Sequence, residues 1–234
     1  RSVQETCSEN RILLNATLEL TYRCNERCIH CYIDDPPDVK TELEAEDYFG
    51  ILDQLEELGC MSILLTGGEP PLNPDFLEIA KYEKSKKMLL TIYTHAYSLS
   101  DSLLDQILAL RPNSISFSFY GGDAKTHDAV TQVAGSFERS LKTMLICKCA
   151  GIDTYIKSVA MKQNFDAFED LIKLARRLNI EITTSLVIAP THGGKSADPY
   201  RLLDPDKYGK IIRMQVQYGL LPDKVSGHRA DHFC

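Results

Sequence analysis

Three of the chain's eight cysteines, Cys24, Cys28 and Cys31, stand together in RCNERCIHCY. Thiolates at C-x3-C-x2-C spacing can wrap one compact metal centre, and they offer it three ligands. A closed structural zinc site takes four ligands, so zinc would need a distant fourth here, Cys7 or a histidine. An iron–sulfur cube can be held by three thiolates with one iron left open, a place where a small molecule is gripped and given an electron. Further along, LTGGEPPLNPDF carries Gly67, Gly68, Glu69 and Pro70. Two glycines without Cβ atoms let the backbone approach a ligand, and Glu69-Pro70 adds a rigid, charged edge. Such a loop suits an α-amino group. Read alone, it is equally an ordinary strand-to-helix turn.

The elements that must position these residues alternate along the chain. Strand-like runs fall at residues 13–20, 62–66, 88–94, 113–119, 153–161 and 181–189, and amphipathic helical patterns at 41–59, 74–87, 100–110, 135–151, 165–178 and 204–219. Ser100 and Ser136 mark helix starts, as Pro74 does, and Gly59, Gly151 and Gly219 mark stops. Parallel neighbours need crossover helices, so six βα units predict an α/β fold with parallel strands, a partial (β/α)6 TIM-like barrel, with a doubly wound sheet as the competitor. In a barrel, function sits in the loops at the carboxyl ends of the strands, and the cysteine run leaves the first strand there. In NSISFSF, Ser114, Ser116 and Ser118 share one face and Ile115, Phe117 and Phe119 the other. The apolar face should meet helices and the serine face should line a cavity for a hydroxyl-rich ligand, unless the serines merely solvate a strand end. Lys157 either reaches the same cavity and its cofactor or snorkels to solvent.

TYRCNERCIHCY followed by LLTGGEPPLNPDF resembles the radical S-adenosylmethionine (radical SAM) superfamily. The resemblance implies that Cys24, Cys28 and Cys31 hold a [4Fe–4S] cluster whose open iron chelates S-adenosylmethionine. His30 would lie against the adenine, Gly67, Gly68, Glu69 and Pro70 would bind the methionine amino group, and Ser118 would contact the ribose. It also implies reductive cleavage to methionine and a 5′-deoxyadenosyl radical that abstracts hydrogen from a substrate, with an electron donor such as flavodoxin or ferredoxin. SFYGGDAKTHDAVTQVAGSFERSL resembles relatives with a C-terminal SPASM extension, especially maturases of ribosomally made peptides (RiPPs), through Tyr120, Gly121, His127, Asp128, Thr131, Gly135, Ser136 and Phe137. A peptide substrate and a thioether or other crosslink follow from that likeness, with sulfatase maturation or cofactor biosynthesis as alternatives. IAPTHGGKSADPYRLLDP resembles the segment before such an extension, which would make Cys234 the first ligand of an auxiliary [4Fe–4S] cluster. His127 reads more simply as a polar group at a helix start. From another class, a zinc-stabilised binding module without turnover also accommodates three clustered cysteines. The chain departs from many relatives at Thr94-His95-Ala96, where they have Thr-Asn-Gly, and at Gln132, where a glycine often follows the threonine.

Composition bounds the rest. With 234 residues, 44% of them hydrophobic, the chain can bury one sizeable core. A net charge of −7 argues against a nucleic-acid partner, and Lys84, Lys86 and Lys87 read as the solvated end of a helix. No apolar run approaches the length of a membrane span, so a cytoplasmic enzyme away from membranes is expected. Cys60, Cys147 and Cys149 read as buried small hydrophobes. The expected organisation is a leader over 1–14, the barrel over 15–218, and a linker over 219–234 into a SPASM-type extension.

Overall fold

The computed structural model describes Glu9, residues 12–33 and residues 42–221. Cys7 and Cys234, and with them the auxiliary-cluster expectation, lie outside the described residues, as do most of the expected leader and the end of the expected linker. Six strands, β1 Asn15–Glu19, β2 Ser62–Thr66, β3 Leu89–Thr94, β4 Ser114–Ser118, β5 Asp153–Val159 and β6 Glu181–Ser185, make one sheet in chain order. Seven helices, α1 Ala45–Glu57, α2 Phe76–Ser85, α3 Asp101–Leu110, α4 Ala124–Thr131, α5 Ser136–Cys149, α6 Phe168–Arg177 and α7 Pro205–Gln217, follow or join them among the described residues. A doubly wound sheet reverses its strand order at a switch point. Unbroken chain order is that of a partial barrel, and the competitor falls.

The strands sit where the apolar runs predicted them, trimmed at their ends. The sixth stops four residues early because the Ser185 hydroxyl accepts the Val187 amide at 3.1 Å, turning the chain out of the ladder. Ser100 caps α3 through Leu103 N, and Gly59, Gly151 and Gly219 all have positive φ beyond their helices. The sequence reading missed α4, which it left inside a loop; the Asp123 side chain accepts the Thr126 amide and caps it.

The chain divides into two compact units, residues 1–25, 35–117 and 139–154, and residues 26–34, 118–138 and 155–234. In the first, β1–β2, β2–β3 and β3–β4 pair in parallel. Ile63, Leu65, Leu90, Ile92, Ile115 and Phe117 alternate along their strands and are fully or nearly buried. Helix α2 packs on α1, α3 and β3. Each such aliphatic or aromatic side chain contributes roughly 1.5–3 kcal/mol on burial. On the opposite face Thr91 and Ser114 hydroxyls meet at 3.0 Å. Ser114 is half-buried as a cavity lining would be, as is Ser118 of the second unit, but Ser116 is only 3% exposed, so the serine row is not uniformly open. In the second unit β5 pairs with β6, and α6 covers β6 with Phe168, Leu171, Ile172 and Ala175, an i, i+3, i+4, i+7 stripe buried to 0% exposure.

Two surface expectations need correction. Cys60 and Cys147 are buried, but Cys149 is exposed, because two residues along a helix turn a side chain to the other flank. Lys86 is not simply solvated: its ammonium pairs with Asp53 at 2.6 Å and Glu56 at 3.3 Å on α1. No helix among the described residues is long and apolar enough to cross a membrane.

Candidate functional site

In the first unit, the GGEP loop is laid backbone to backbone on the residues that lead into the cysteine run. Gly68 N–H donates to Thr21 O at 2.7 Å and Glu69 N–H to Arg23 O at 2.8 Å. A Cβ on Gly67 would stand 2.3 Å from Thr21 O, and one on Gly68 2.3 Å from Arg23 O. The glycines therefore permit a close approach, as the sequence suggested, but to the chain's own backbone. The Asn73 amide donates to Leu20 O at 2.7 Å and fastens the far end of the loop to the end of β1. Across the same segment, Arg23 pairs with Glu42 at 3.0 Å, and Glu42 also takes the Thr21 hydroxyl.

The Glu69 side chain turns inward. It is 2% exposed, accepts the Thr94 hydroxyl and, at 3.1 Å, the His95 amide. Burial outweighs these donors and pushes its carboxyl up to about 7. Thus Gly67 and Gly68 stay partly exposed, Pro70 is buried, and the Glu69 carboxylate organises the turn after β3. His95 sits in that turn, 6% exposed, with Nε2 at 3.2 Å from Glu69 Oε2 and 3.7 Å from Cys24 Sγ. Its Nδ1 accepts the Tyr97 amide at 3.1 Å. An Nδ1 that accepts leaves the proton on Nε2. His95 is for that reason unsuited to be a fourth zinc ligand through Nε2, the nitrogen that faces the cysteine. Ala96 closes the turn with φ of 56°, and its amide meets Thr94 Oγ1 at 2.8 Å.

In the second unit, Cys28 and Cys31 are joined by Cys31 N–H to Cys28 O at 3.0 Å. The loop pairs with the end of α4 through Arg27 N to Thr131 O and Ile29 N to Val130 O, both 3.0 Å. Cys28 and Ile29 pack against a core of Tyr120, Val130, Met161, Ile188 and Ala197. Buried Glu26 accepts the Cys28 thiol at 3.5 Å and the Ser136 hydroxyl, and Ser136 meets His127 Nε2 at 3.3 Å. His127 is fully buried, and its Nδ1 accepts the Tyr120 amide at 3.3 Å. Asp128 accepts Gly135 N at 2.7 Å and Phe137 N at 2.9 Å, which fixes the start of α5. His127 is thus held through both ring nitrogens inside α4. Gln132, after α4, has φ of 60°.

His30 meets Tyr120 edge-on at 4.7 Å between ring centres, and its Nδ1 is buried with no hydrogen-bond partner. Burial pushes its pKa down to about 4, so the ring is neutral near neutral pH. Tyr120, buried, has its hydroxyl pushed well above the usual range by burial and bonds Ser118. Ser118 ends β4, and Lys157 is half-buried in β5 with its carbonyl accepting Phe119 N at 3.0 Å.

By unit, the expected site residues fall into two sets: Cys24 with Gly67, Gly68, Glu69 and Pro70, and Cys28 and Cys31 with His30, Ser118 and Lys157. Among the described residues no three His, Cys, Asp or Glu side chains are arranged to hold a single metal ion. The donor chemistry nonetheless suits an iron–sulfur cluster: three partly exposed cysteines, none in a disulfide, each in the same loop, and an orphaned buried imidazole nitrogen two residues from Cys28. Sequence reasoning missed Glu26, Asn73 and the part played by His95. Glu26 lies inside the C-x3-C interval, and His95 was visible as a departure from the usual Thr-Asn-Gly.

A model of the Radical SAM superfamily matches residues 18–193. The chain is 27% identical over 195 residues to the AdoMet-dependent heme synthase of Methanosarcina barkeri, covering 83% of this chain and 55% of that one. It is 28% identical over 190 residues to the mycofactocin maturase MftC of Mycobacterium ulcerans, covering 81% and 50%. Streptococcus suis SuiB bound to its precursor peptide SuiA shares the fold, with a TM-score of 0.71 at 20% identity over 92% of this chain and 49% of that one. The chain thus spans about half the length of the curated relatives it matches.

Proposed function

Because the chain belongs to the Radical SAM superfamily, we propose that it is an enzyme that opens S-adenosylmethionine reductively and takes hydrogen from a peptide, as a RiPP maturase forming a thioether or another crosslink. Cys24, Cys28 and Cys31 would hold a [4Fe–4S] cluster, which when bound supplies one electron to the sulfonium and so releases methionine and a 5′-deoxyadenosyl radical. The chain's own work is to bind and orient. The ordered backbone edge of Gly67, Gly68 and Pro70 offers the methionine end a rigid seat, with the Glu69 carboxylate occupied behind it. His30, neutral and with its Nδ1 orphaned, would lie against the adenine beside Tyr120. Ser118 would meet the ribose, with Lys157 on the neighbouring stretch of the same unit. The apolar packing around Cys28 and Ile29 would help keep water from a bound cluster.

The observation that carries the reading is the C-x3-C-x2-C loop whose entry residues, Thr21 and Arg23, are locked to Gly68 and Glu69. Anaerobic loading with iron and sulfide should give about four irons per chain, and S-adenosylmethionine with a reductant should then yield 5′-deoxyadenosine. One zinc without sulfide would instead support a binding module without turnover. Peptide chemistry is supported by MftC and by SuiB, whose structure holds its precursor peptide. Hydrogen loss from a precursor peptide, seen by mass spectrometry, tests it. A second reading, a step in cofactor biosynthesis on a non-peptide substrate, is favoured by the heme synthase relative. A flavodoxin or ferredoxin would supply the electron, and a reducing cytoplasm suits such a centre. A SPASM-type extension after the barrel, with Cys234 in an auxiliary cluster, belongs to the same proposal.

A further inference from the structure

The turn after β3 holds a residue that the reaction as proposed does not use. His95 is nearly buried, and its two nitrogens have different tasks. Nδ1 accepts the Tyr97 amide at 3.1 Å, so the single proton of the neutral ring sits on Nε2. That N–H faces two acceptors, Glu69 Oε2 at 3.2 Å and Cys24 Sγ at 3.7 Å. Glu69 is fixed in turn by the Thr94 hydroxyl, the His95 amide and its own backbone bond to Arg23 O. The ring therefore cannot swing without breaking bonds on both sides.

We propose that His95 is a positioning residue for Cys24: its Nε2–H, kept on that nitrogen by the Tyr97 amide, is shared between the Cys24 sulfur and Glu69 Oε2, and so orients the sulfur as a cluster ligand and draws charge from it. The inference rests on the reading that Cys24 is such a ligand. Hydrogen bonds to ligating sulfurs stabilise the reduced, more negative cluster and raise its reduction potential. An asparagine at 95 would put its amide oxygen near the Nδ1 position and keep the Tyr97 bond, but its side chain is too short to reach the sulfur. A glutamine extends an N–H to about the reach of Nε2.

The test is a redox titration of the anaerobically loaded chain, followed by the paramagnetic signal of the reduced cluster. At the potential where half of the unsubstituted cluster is reduced, His95→Asn should show a several-fold smaller reduced fraction at equal iron content, and His95→Gln should recover most of it. A loss of iron in His95→Asn that His95→Gln restores supports the same role, through orientation of Cys24. Titration of His95→Asn together with the unsubstituted chain overturns the proposal, as does failure of both variants to hold iron, since a donor at glutamine's reach was to suffice. Absence of iron and sulfide from the unsubstituted chain overturns the cluster reading itself, and is seen before any substitution is made.

Discussion

The two ends of the cysteine loop are held in opposite electrostatic senses. In the first unit Cys24 faces an N–H of His95, a donor that stabilises sulfur as it becomes negative. In the second unit Cys28 Sγ lies 3.5 Å from Glu26 Oε2, an acceptor rather than a donor. Both grips are backed by buried polar chains, Glu69 and Thr94 on one side, Ser136 and His127 on the other. The difference shows that the geometry of a ligand loop and its charge environment can be set by separate residues. Rigidity is supplied on both sides, while the sign of the local field is chosen independently on each.

The bluntest way to break the comparison is to remove a thiol. Cys28→Ala should abolish 5′-deoxyadenosine formation and iron retention, measured under anaerobic turnover, and Cys24→Ala should do the same; activity surviving either change would mean that the two grips do not serve one centre. Next, the first unit's close approach should be unforgiving. Gly68→Ala sets a Cβ against the Arg23 carbonyl, which is backbone, and should cost on the order of 3 kcal/mol or prevent folding, read by denaturant unfolding. A third difference lies in pH. The Glu69 carboxyl is raised from 4.5 to about 7, so the stability of its neutral form is fully present below 4.5 and is lost as pH rises through 7, about 3 kcal/mol in all. Glu69→Gln should flatten that part of the stability curve of the unloaded chain.

Glu26→Gln sharpens the contrast in sign. It keeps an acceptor for Ser136 but turns an amide donor to Cys28, so the reduction potential should move up, opposite to the change expected for His95→Asn; a shift in the same direction for both would refute the opposed-field account. The smallest effects should be shared. Ala96 and Gln132, one in each unit, hold left-handed conformations that cost an ordinary residue roughly 1–2 kcal/mol. Ala96→Gly and Gln132→Gly should each stabilise the chain by about 1 kcal/mol after the added unfolded-state entropy of glycine is subtracted, seen as a small rise in Tm.

Much of this arrangement was legible in the residues. Apolar runs placed all six strands, since alternate residues of β2, β3 and β5 are buried, and Ser100 started a helix and Gly59 and Gly151 followed helix ends through capping and positive φ that depend on local chemistry alone. The cysteine spacing and GGEP marked the loops. What could not be read was the partner of each polar side chain. Nothing local in THAYS joins His95 to Cys24, seventy-one positions away, and nothing in CNERC joins Glu26 to Ser136. Helix α4 was hidden because its eight residues, AKTHDAVT, carry little apolar periodicity and rely on the Asp123 cap. The departures at Ala96 and Gln132 suggested an altered pocket, yet both residues take a conformation that glycine would favour.

The seam between Gly67-Gly68 and Thr21–Arg23 sets the smallest piece of this protein that could be transplanted. Two stretches more than forty residues apart fit only as mated parts, since neither tolerates so much as a methyl group between them. An engineer who moves the cysteine segment into another barrel must carry its glycine counterpart as well, and a breeder of variants should see these two segments change together or not at all.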